Sequence, residues 1–157
     1  IANTLSKSMG LYGERCGALS VVCADDRQAE RVLGQIKSTV RQNYFSPPAH
    51  GGQIAAHVLG DPVLRASWAR DLTGMRERIR SLRRQLHTAL SRKLAEGDFA
   101  YLLSQRGMFS YTNLNAEQVR RLREEHAIYL VKSGRLCISG LNAGNVERVA
   151  DAIVAVQ

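Results

Sequence analysis

The sequence predicts an α/β segment joined by one long helix to a small α+β lobe, and three observations carry that reading. A short apolar run, GALSVVCA (17–24), is followed at once by an amphipathic helical pattern, the strand-then-helix order of an α/β segment. One apolar stripe, Leu64, Trp68, Leu72, Met75, Ile79, Leu82, Leu86 and Leu90, advances in steps of 4, 4, 3, 4, 3, 4 and 4, the spacing of a single buried helical face. Beyond Gly97-Asp98, short strand-like runs alternate with helical patterns. The chain therefore divides into residues 1–74 and 75–157, with a helix over about 62–94 belonging to both.

Each element has a local reason. GALSVVCA is of strand length and apolar enough to be buried on both faces. Asp25 or Asp26 can cap the following helix, which carries Ala29, Val32, Leu33, Ile36 and Val40 on one side. That helix must end by NYFSPPAHGG (43–52), because its two prolines cannot continue a helix and fix an extended turn. A second helix carries Ile54, Val58 and Leu59, and Asp61-Pro62 supplies a cap followed by proline at the first helical position. The long helix that starts there would extend roughly 45–50 Å. In the last third, GMFSYTNL (107–114), AIYLV (127–131) and RLCISGL (135–141) read as strands. Asn115 caps a helix holding Val119 and Leu122, and Asn142 opens a final helix with Val146, Val149, Ala150, Ile153 and Val154 on one face.

Composition narrows the classes of function. With 45% hydrophobic residues in 157, the chain can bury a core, and it lacks the composition of a disordered segment. No apolar run is long enough to span a bilayer, and the opening stretch is not built as a secretory signal. Cys16, Cys23 and Cys137 are odd in number and lack metal-ligand spacing, as expected of reduced cysteines in the cytoplasm. The four histidines form no HExxH-like pair, so no metal site is expected. The net charge of +8 is concentrated in RERIRSLRRQLHTALSRK (76–93), where the arginines fall mainly opposite the apolar stripe and read as a solvated face. No aromatic residues interleave with them to stack on bases, so neither nucleic acid nor membrane is expected as a partner. A basic helical binding module remains the alternative from a different class, and its hallmark would be affinity that falls steeply with salt.

The chemistry-bearing stretch is the first one, IANTLSKSMGLYGERCG. Lys7 has hydroxyls near it in Thr4 and Ser6, and Arg15 offers a planar guanidinium suited to phosphate. A lysine forms a Schiff base with a carbonyl through its neutral amine, a form favoured by burial or by nearby positive charge. On spacing alone the group is compatible with an aldehyde cofactor bearing a phosphate, but an exposed lysine in a loop is the more common source of such spacing.

The whole stretch TLSKSMGLYGERCG resembles the Schiff-base segment of the fold-type I aminotransferases, in the aspartate and aromatic-amino-acid group. RQNYFSPPAHGG (41–52), ASWARDLTGMRERI (66–79), QRGMFSYTNLNAEQVRRLREE (105–125), YLVKSGRLCISGLN (129–142) and the closing RVADAIVAVQ resemble further parts of that family in the same order. YLLSQRGMFSYTNL and SGRLCISGLN are more similar to the bacterial aromatic-amino-acid (tyrosine) members than to the aspartate members.

The resemblance implies that residues 1–74 are the C-terminal part of a large α/β domain binding pyridoxal 5'-phosphate, and residues 75–157 the small α+β domain. It implies that Lys7 is the lysine holding the cofactor and moving the substrate Cα proton, and that Arg15 grips the cofactor phosphate. Thr4 falls where the family usually has a serine hydroxyl to that phosphate, with Ser6 beside it. Arg135 falls on the arginine that pairs with the substrate α-carboxylate, and Phe109 on the aromatic lying along the substrate side chain. Arg41 falls on the arginine reaching the neighbouring subunit's site in a homodimer, where it binds the distal carboxylate of aspartate, glutamate or 2-oxoglutarate. Phe45 departs from the family, which commonly has a small polar residue there, and a bulky ring beside Arg41 favours aromatic substrates. Cytoplasmic amino transfer from aromatic or dicarboxylic amino acids to 2-oxo acids follows, with an aspartate aminotransferase as the alternative within the family.

The family's chains are much longer, so these residues read as a fragment. The glycine-rich phosphate cradle, the aromatic stacked on the cofactor ring and the aspartate paired with the ring nitrogen have no counterpart among them. The 157 residues by themselves are accordingly expected to be inactive, and GALSVVCA to be exposed along its edges.

Overall fold

Helix boundaries follow the local signals closely. The computed structural model describes residues 1–157, and the chain is mixed helix and sheet. Helix α1 spans Asp26–Asn43, and it is the Asp25 side chain that caps it, accepting from the Gln28 amide at 2.7 Å. Helix α2 spans His50–Gly60 and α3 spans Pro62–Lys93. Asp61 Oδ1 accepts from the amides of Val63 at 2.8 Å and Leu64 at 3.0 Å, so the Asp-Pro signal acts as a cap on α3. At 32 residues, α3 is about 48 Å long. A four-residue helix, α4 (Tyr101–Ser104), was not anticipated; helix α5 (Ala116–His126) opens on a capping box between Asn115 and Gln118. Helix α6 spans Val146–Ala155, starting four residues later than expected from Asn142, which accepts instead from the Gly144 amide at 2.9 Å in the turn before it. No helix is long and apolar enough to cross a membrane.

The strands are shorter than their apolar runs suggest. β1 (Ala2–Thr4) and β2 (Gly17–Leu19) pair antiparallel with Ala2 opposite Leu19 and Thr4 opposite Gly17. All six residues are exposed, so GALSVVCA is not buried on both faces: only three of its residues find a partner strand, and Val22 stands 87% exposed. β3 (Phe109–Tyr111) and β4 (Arg135–Cys137) form the second antiparallel pair, with Ser110 opposite Leu136. The run RLCISGL leaves the ladder after Cys137 and turns through a 3₁₀ segment, Ile138–Gly140.

AIYLV (127–131) forms no strand at all. Ala127 takes the left-handed conformation that closes α5, at φ 53°, and its amide bonds back to Arg123 and Leu122. Ile128 and Leu130 then drop into the core while Tyr129 stays 76% exposed. The alternation that reads as a strand is real, but its partner is packing and not a ladder.

Two compact units result, Ile1–Leu72 and Thr73–Gln157, with the division falling inside α3. The first has few buried residues: α1 buries none, and α2 buries Gly51 and Ala55. The second holds one hydrophobic core, built on Leu82, Leu86 and Leu90 of α3, Leu122 of α5, and Val149 and Ile153 of α6. Only that later part of the α3 stripe is buried; Leu64 and Met75 are exposed.

The arginines of α3 are not all solvated. Arg83 is 5% exposed, and Arg78 donates to the carbonyls of Ser139 and Leu141. Cys16 and Cys23 are half-buried, Cys137 is exposed, and all three are free thiols.

Candidate active site

In the first unit the residues between β1 and β2 form a hairpin loop that carries Lys7. Leu5 N–H donates to the Cys16 carbonyl at 3.0 Å, continuing the strand pairing, and Met9 N–H donates to Leu5 O at 3.0 Å, turning the chain. Thr4 Oγ1 and Ser6 Oγ lie 2.8 Å apart, and the Ser6 amide donates to Thr4 Oγ1 at 3.2 Å. The two hydroxyls named from the sequence are thus one local cluster, with Ser6 buried and Thr4 exposed.

Lys7 is exposed, and its ammonium nitrogen sits 3.6 Å from the centroid of the Tyr12 ring, a cation–π contact. The nearby Lys7 ammonium, and to a lesser extent the charge of Arg15, hold the Tyr12 phenol below its ordinary range. Arg15 takes a left-handed backbone conformation at φ 52° and donates from Nη1 to the Tyr12 carbonyl at 3.2 Å. A non-glycine residue in that region is uncommon and is maintained by its surroundings. Here Gly51 presses against both neighbours of Arg15: a Cβ on it would lie 2.8 Å from the Glu14 Cβ and 3.0 Å from that of Cys16. His50 Nδ1 holds Glu14 Oε2 at 3.0 Å, so the one carboxylate of the loop is turned to α2. Trp68 of α3 donates its indole N–H to the Ser8 carbonyl at 2.7 Å.

Arg41 lies in the last turn of α1, where a cation complements the helix dipole. Its guanidinium carbon is 4.9 Å from the centroid of the Phe45 ring. Phe45 itself has φ 63°, a turn that brings its ring back over the helix end.

In the second unit, Phe109 and Arg135 come together. Arg135 lies opposite Tyr111 and Phe109 opposite Cys137, so Phe109 and Arg135 are diagonal neighbours on one face of the pair. The Arg135 guanidinium carbon stands 4.6 Å over the Phe109 ring. The opposite face bears Ser110 and Leu136, both buried. Gly134, at φ 74°, precedes Arg135 and leaves the strand against Leu114 and Thr112.

The seven predicted site residues thus fall into three local groups, Thr4, Ser6, Lys7 and Arg15 on one hairpin, Arg41 by itself, and Arg135 with Phe109; Phe45, the noted departure from the family, lies beside Arg41. Sequence reasoning missed Tyr12, Trp68 and Gly51 around the loop. It also missed Arg83, whose guanidinium bonds the Phe109 carbonyl at 2.7 Å. Tyr12 was within reach, because it lies in the same hairpin as Lys7. No group of three or more His, Cys, Asp or Glu side chains is arranged to hold a metal ion.

The chain as a whole has relatives among known proteins. Residues 1–153 match the family model of aminotransferase class I and II. The chain belongs to that family. The chain is 55% identical over 156 residues to the aromatic-amino-acid aminotransferase of Escherichia coli, and 46% identical over 156 residues to the aspartate aminotransferase of Pseudomonas aeruginosa. Each alignment covers 99% of this chain and 39% of the relative, so the chain spans about two fifths of the length of the curated relatives it matches. A crystal structure of the aromatic-amino-acid aminotransferase of Burkholderia pseudomallei, covalently bound to pyridoxal phosphate, superposes with a TM-score of 0.92 at 50% identity. It is matched over 99% of this chain and 39% of its own. The psychrophilic aromatic amino acid aminotransferase of Psychrobacter, cocrystallised with aspartic acid, gives 0.94 at 46% identity over the same shares.

Proposed function

We propose that this chain is part of a pyridoxal-phosphate-dependent aminotransferase that moves the amino group of aromatic or dicarboxylic amino acids to 2-oxo acids such as 2-oxoglutarate. The observation that carries the reading is the loop around Lys7. It puts an amine with no carboxylate partner, two touching hydroxyls and a guanidinium on one hairpin, and its single acid is held by His50. That donor set fits an aldehyde carrying a phosphate: hydroxyls and arginine for the anion, an amine for the carbonyl. Residues 1–74 would then belong to the large cofactor-binding α/β domain and 75–157 to the small α+β domain.

When bound, pyridoxal phosphate supplies a carbonyl carbon that exchanges amines and a conjugated ring that accepts electrons. The chain's own residues do the rest. Arg15 and the Thr4 and Ser6 hydroxyls bind the phosphate. Lys7 would hold the cofactor's carbonyl carbon through Nζ, and its free amine would take up the proton from the substrate Cα. Arg135 pairs with the α-carboxylate through its rigid fork, a geometry a lysine does not reproduce. Phe109 backs that guanidinium and flanks the substrate side chain. Arg41 serves the distal carboxylate, in a cytoplasmic homodimer where it reaches the neighbouring site. The Phe45 ring stacked on Arg41 favours aromatic substrates. An aspartate aminotransferase is the second reading, because Arg41 keeps its guanidinium clear of any carboxylate.

The deciding experiment is borohydride reduction after addition of pyridoxal phosphate, read by peptide mass. A pyridoxyl adduct mapped to Lys7, absent in Lys7→Ala, is the expected result. An adduct that persists on another lysine in Lys7→Ala would sink the assignment.

A further inference from the structure

Arg83 is the outlier among the arginines of α3. It sits four residues after Ile79 and three before Leu86, on the edge of the buried stripe, and is 5% exposed. No carboxylate pairs with it. Burial, with a contribution from the charge of Arg106, holds its guanidinium below the ordinary arginine range. A buried cation without an acid is retained only where its hydrogen bonds are well satisfied, and here four are made. Nη1 donates to Leu102 O at 3.1 Å and to Ser110 Oγ at 2.5 Å; Nη2 donates to Gly107 O at 2.8 Å and to Phe109 O at 2.7 Å.

Three of those four acceptors lie within residues 107–110, the segment that sets where the Phe109 ring points. The strand pair bearing Phe109 and Arg135 is only three residues long on each side, and its strands are separated in the chain by α5; an isolated two-stranded pair of that size does not hold its own register in water. Its anchors come from α3. Arg83 grips the β3 side, while Arg78, on the same helix, grips the chain just past β4: its guanidinium donates to Ser139 O at 3.3 and 3.4 Å and to Leu141 O at 2.7 Å. One helix thus fastens both edges of the platform on which Arg135 stands over Phe109.

We propose that Arg83, seconded by Arg78, is a positioning residue for substrate-carboxylate binding, acting through the Phe109 backbone to hold the guanidinium of Arg135 in place. The inference rests on the reading of Arg135 as the carboxylate-binding arginine. Arg83 itself touches no substrate. Its replacement by lysine keeps the charge but loses the fork that reaches acceptors on both sides of Phe109.

The test uses the full-length, cofactor-loaded protein and its Arg83→Lys, Arg83→Met, Arg78→Lys and Arg135→Lys variants. Calorimetry reads the Kd of 3-phenylpropionate, absorbance reads pyridoxal phosphate occupancy, and hydrogen exchange reads the Ile138 amide, which donates to Met108 O at 2.8 Å. Arg83→Lys is expected to weaken carboxylate binding on the order of tenfold, to speed exchange at Ile138 and to leave cofactor occupancy unchanged. Faster exchange with an unchanged Kd would make Arg83 structural only and overturn the proposal. So would a parallel loss of occupancy and carboxylate affinity, which reports general loosening. An unchanged Kd in Arg135→Lys would instead remove the underlying reading, and this proposal with it. Should Arg83→Met fail to fold, Ser110→Ala, which deletes one acceptor, decides by the same readouts.

Discussion

Trp68 reaches across a sequence separation of 60 residues to donate its indole N–H to the carbonyl of Ser8, the residue after Lys7, at 2.7 Å. The bond ties the first half of α3 to the turn that carries the reactive amine. Trp68→Phe keeps an aromatic ring but leaves the Ser8 carbonyl without this donor, at a cost of about 1 kcal/mol. Urea denaturation should show that loss, and the yield of reduced pyridoxyl adduct at Lys7 should fall. An unchanged adduct yield would mean that the loop is positioned by its own hydrogen bonds.

Arg41 and Phe45 make a separable prediction about specificity. Arg41→Leu removes the cation for a distal carboxylate, worth roughly 1.5–3 kcal/mol for a charged hydrogen bond. In the full-length enzyme it should cut kcat/KM for aspartate by one to two orders of magnitude and leave phenylalanine nearly untouched. Phe45→Asn takes away the ring and suits the left-handed backbone at that position, so it should shift preference toward dicarboxylates. Equal losses for both substrate classes in Arg41→Leu would count against the role given to that residue.

Gly134 controls the approach to Arg135. At φ 74° a side chain is already disfavoured, and a Cβ there would lie 2.9 Å from the Leu114 carbonyl and 3.2 Å from Thr112 Oγ1. The Gly134 carbonyl also receives the Thr112 hydroxyl at 2.8 Å and the Thr112 amide at 3.1 Å. Gly134→Ala should therefore destabilise by about 1–3 kcal/mol and weaken carboxylate binding together with it. A lowered melting temperature without any change in carboxylate Kd would show that the strand re-forms around the added methyl.

Asp61 gives the pH dependence. Its carboxylate is held below the ordinary range, first by the Leu64 amide and then by the Val63 amide. Because the folded pKa lies below the unfolded one, the cap stabilises fully above the unfolded value of about 3.9. That contribution fades as pH falls through the lower folded value. The difference in melting temperature between the parent and Asp61→Ala should be present at about pH 6 and shrink as pH falls below the unfolded value of about 3.9. A difference that stays constant over that span would mean the carboxylate is not the capping group.

Much of the helical layout is readable from local chemistry. Asp25, Asp61 and Asn115 cap where their side chains reach the third amide, and the two prolines after Phe45 end one helix. Local signals of this kind need no distant partner. AIYLV misleads for the opposite reason, since alternation reports which side chains are buried and is silent on whether a neighbouring strand exists. Arg83 misleads for the same reason. In a stretch with so many arginines its type suggests water, while its position between Ile79 and Leu86 puts it against the core.

The sequence by itself determined the family, through residues 1–153, and the helices whose caps and periodicity are local. It also determined which side chains are candidates for the chemistry, because the loop with Lys7, Thr4, Ser6 and Arg15 is contiguous. Only the tertiary structure decided what those side chains rest on: Tyr12 under Lys7, Phe45 over Arg41, and Phe109 beneath an Arg135 whose platform is fastened by Arg83 and Arg78. Those relationships depend on bonds between residues far apart in the chain or folded back upon it. Composition and spacing do not encode such contacts one residue at a time, since each depends on where packing has already brought its partner.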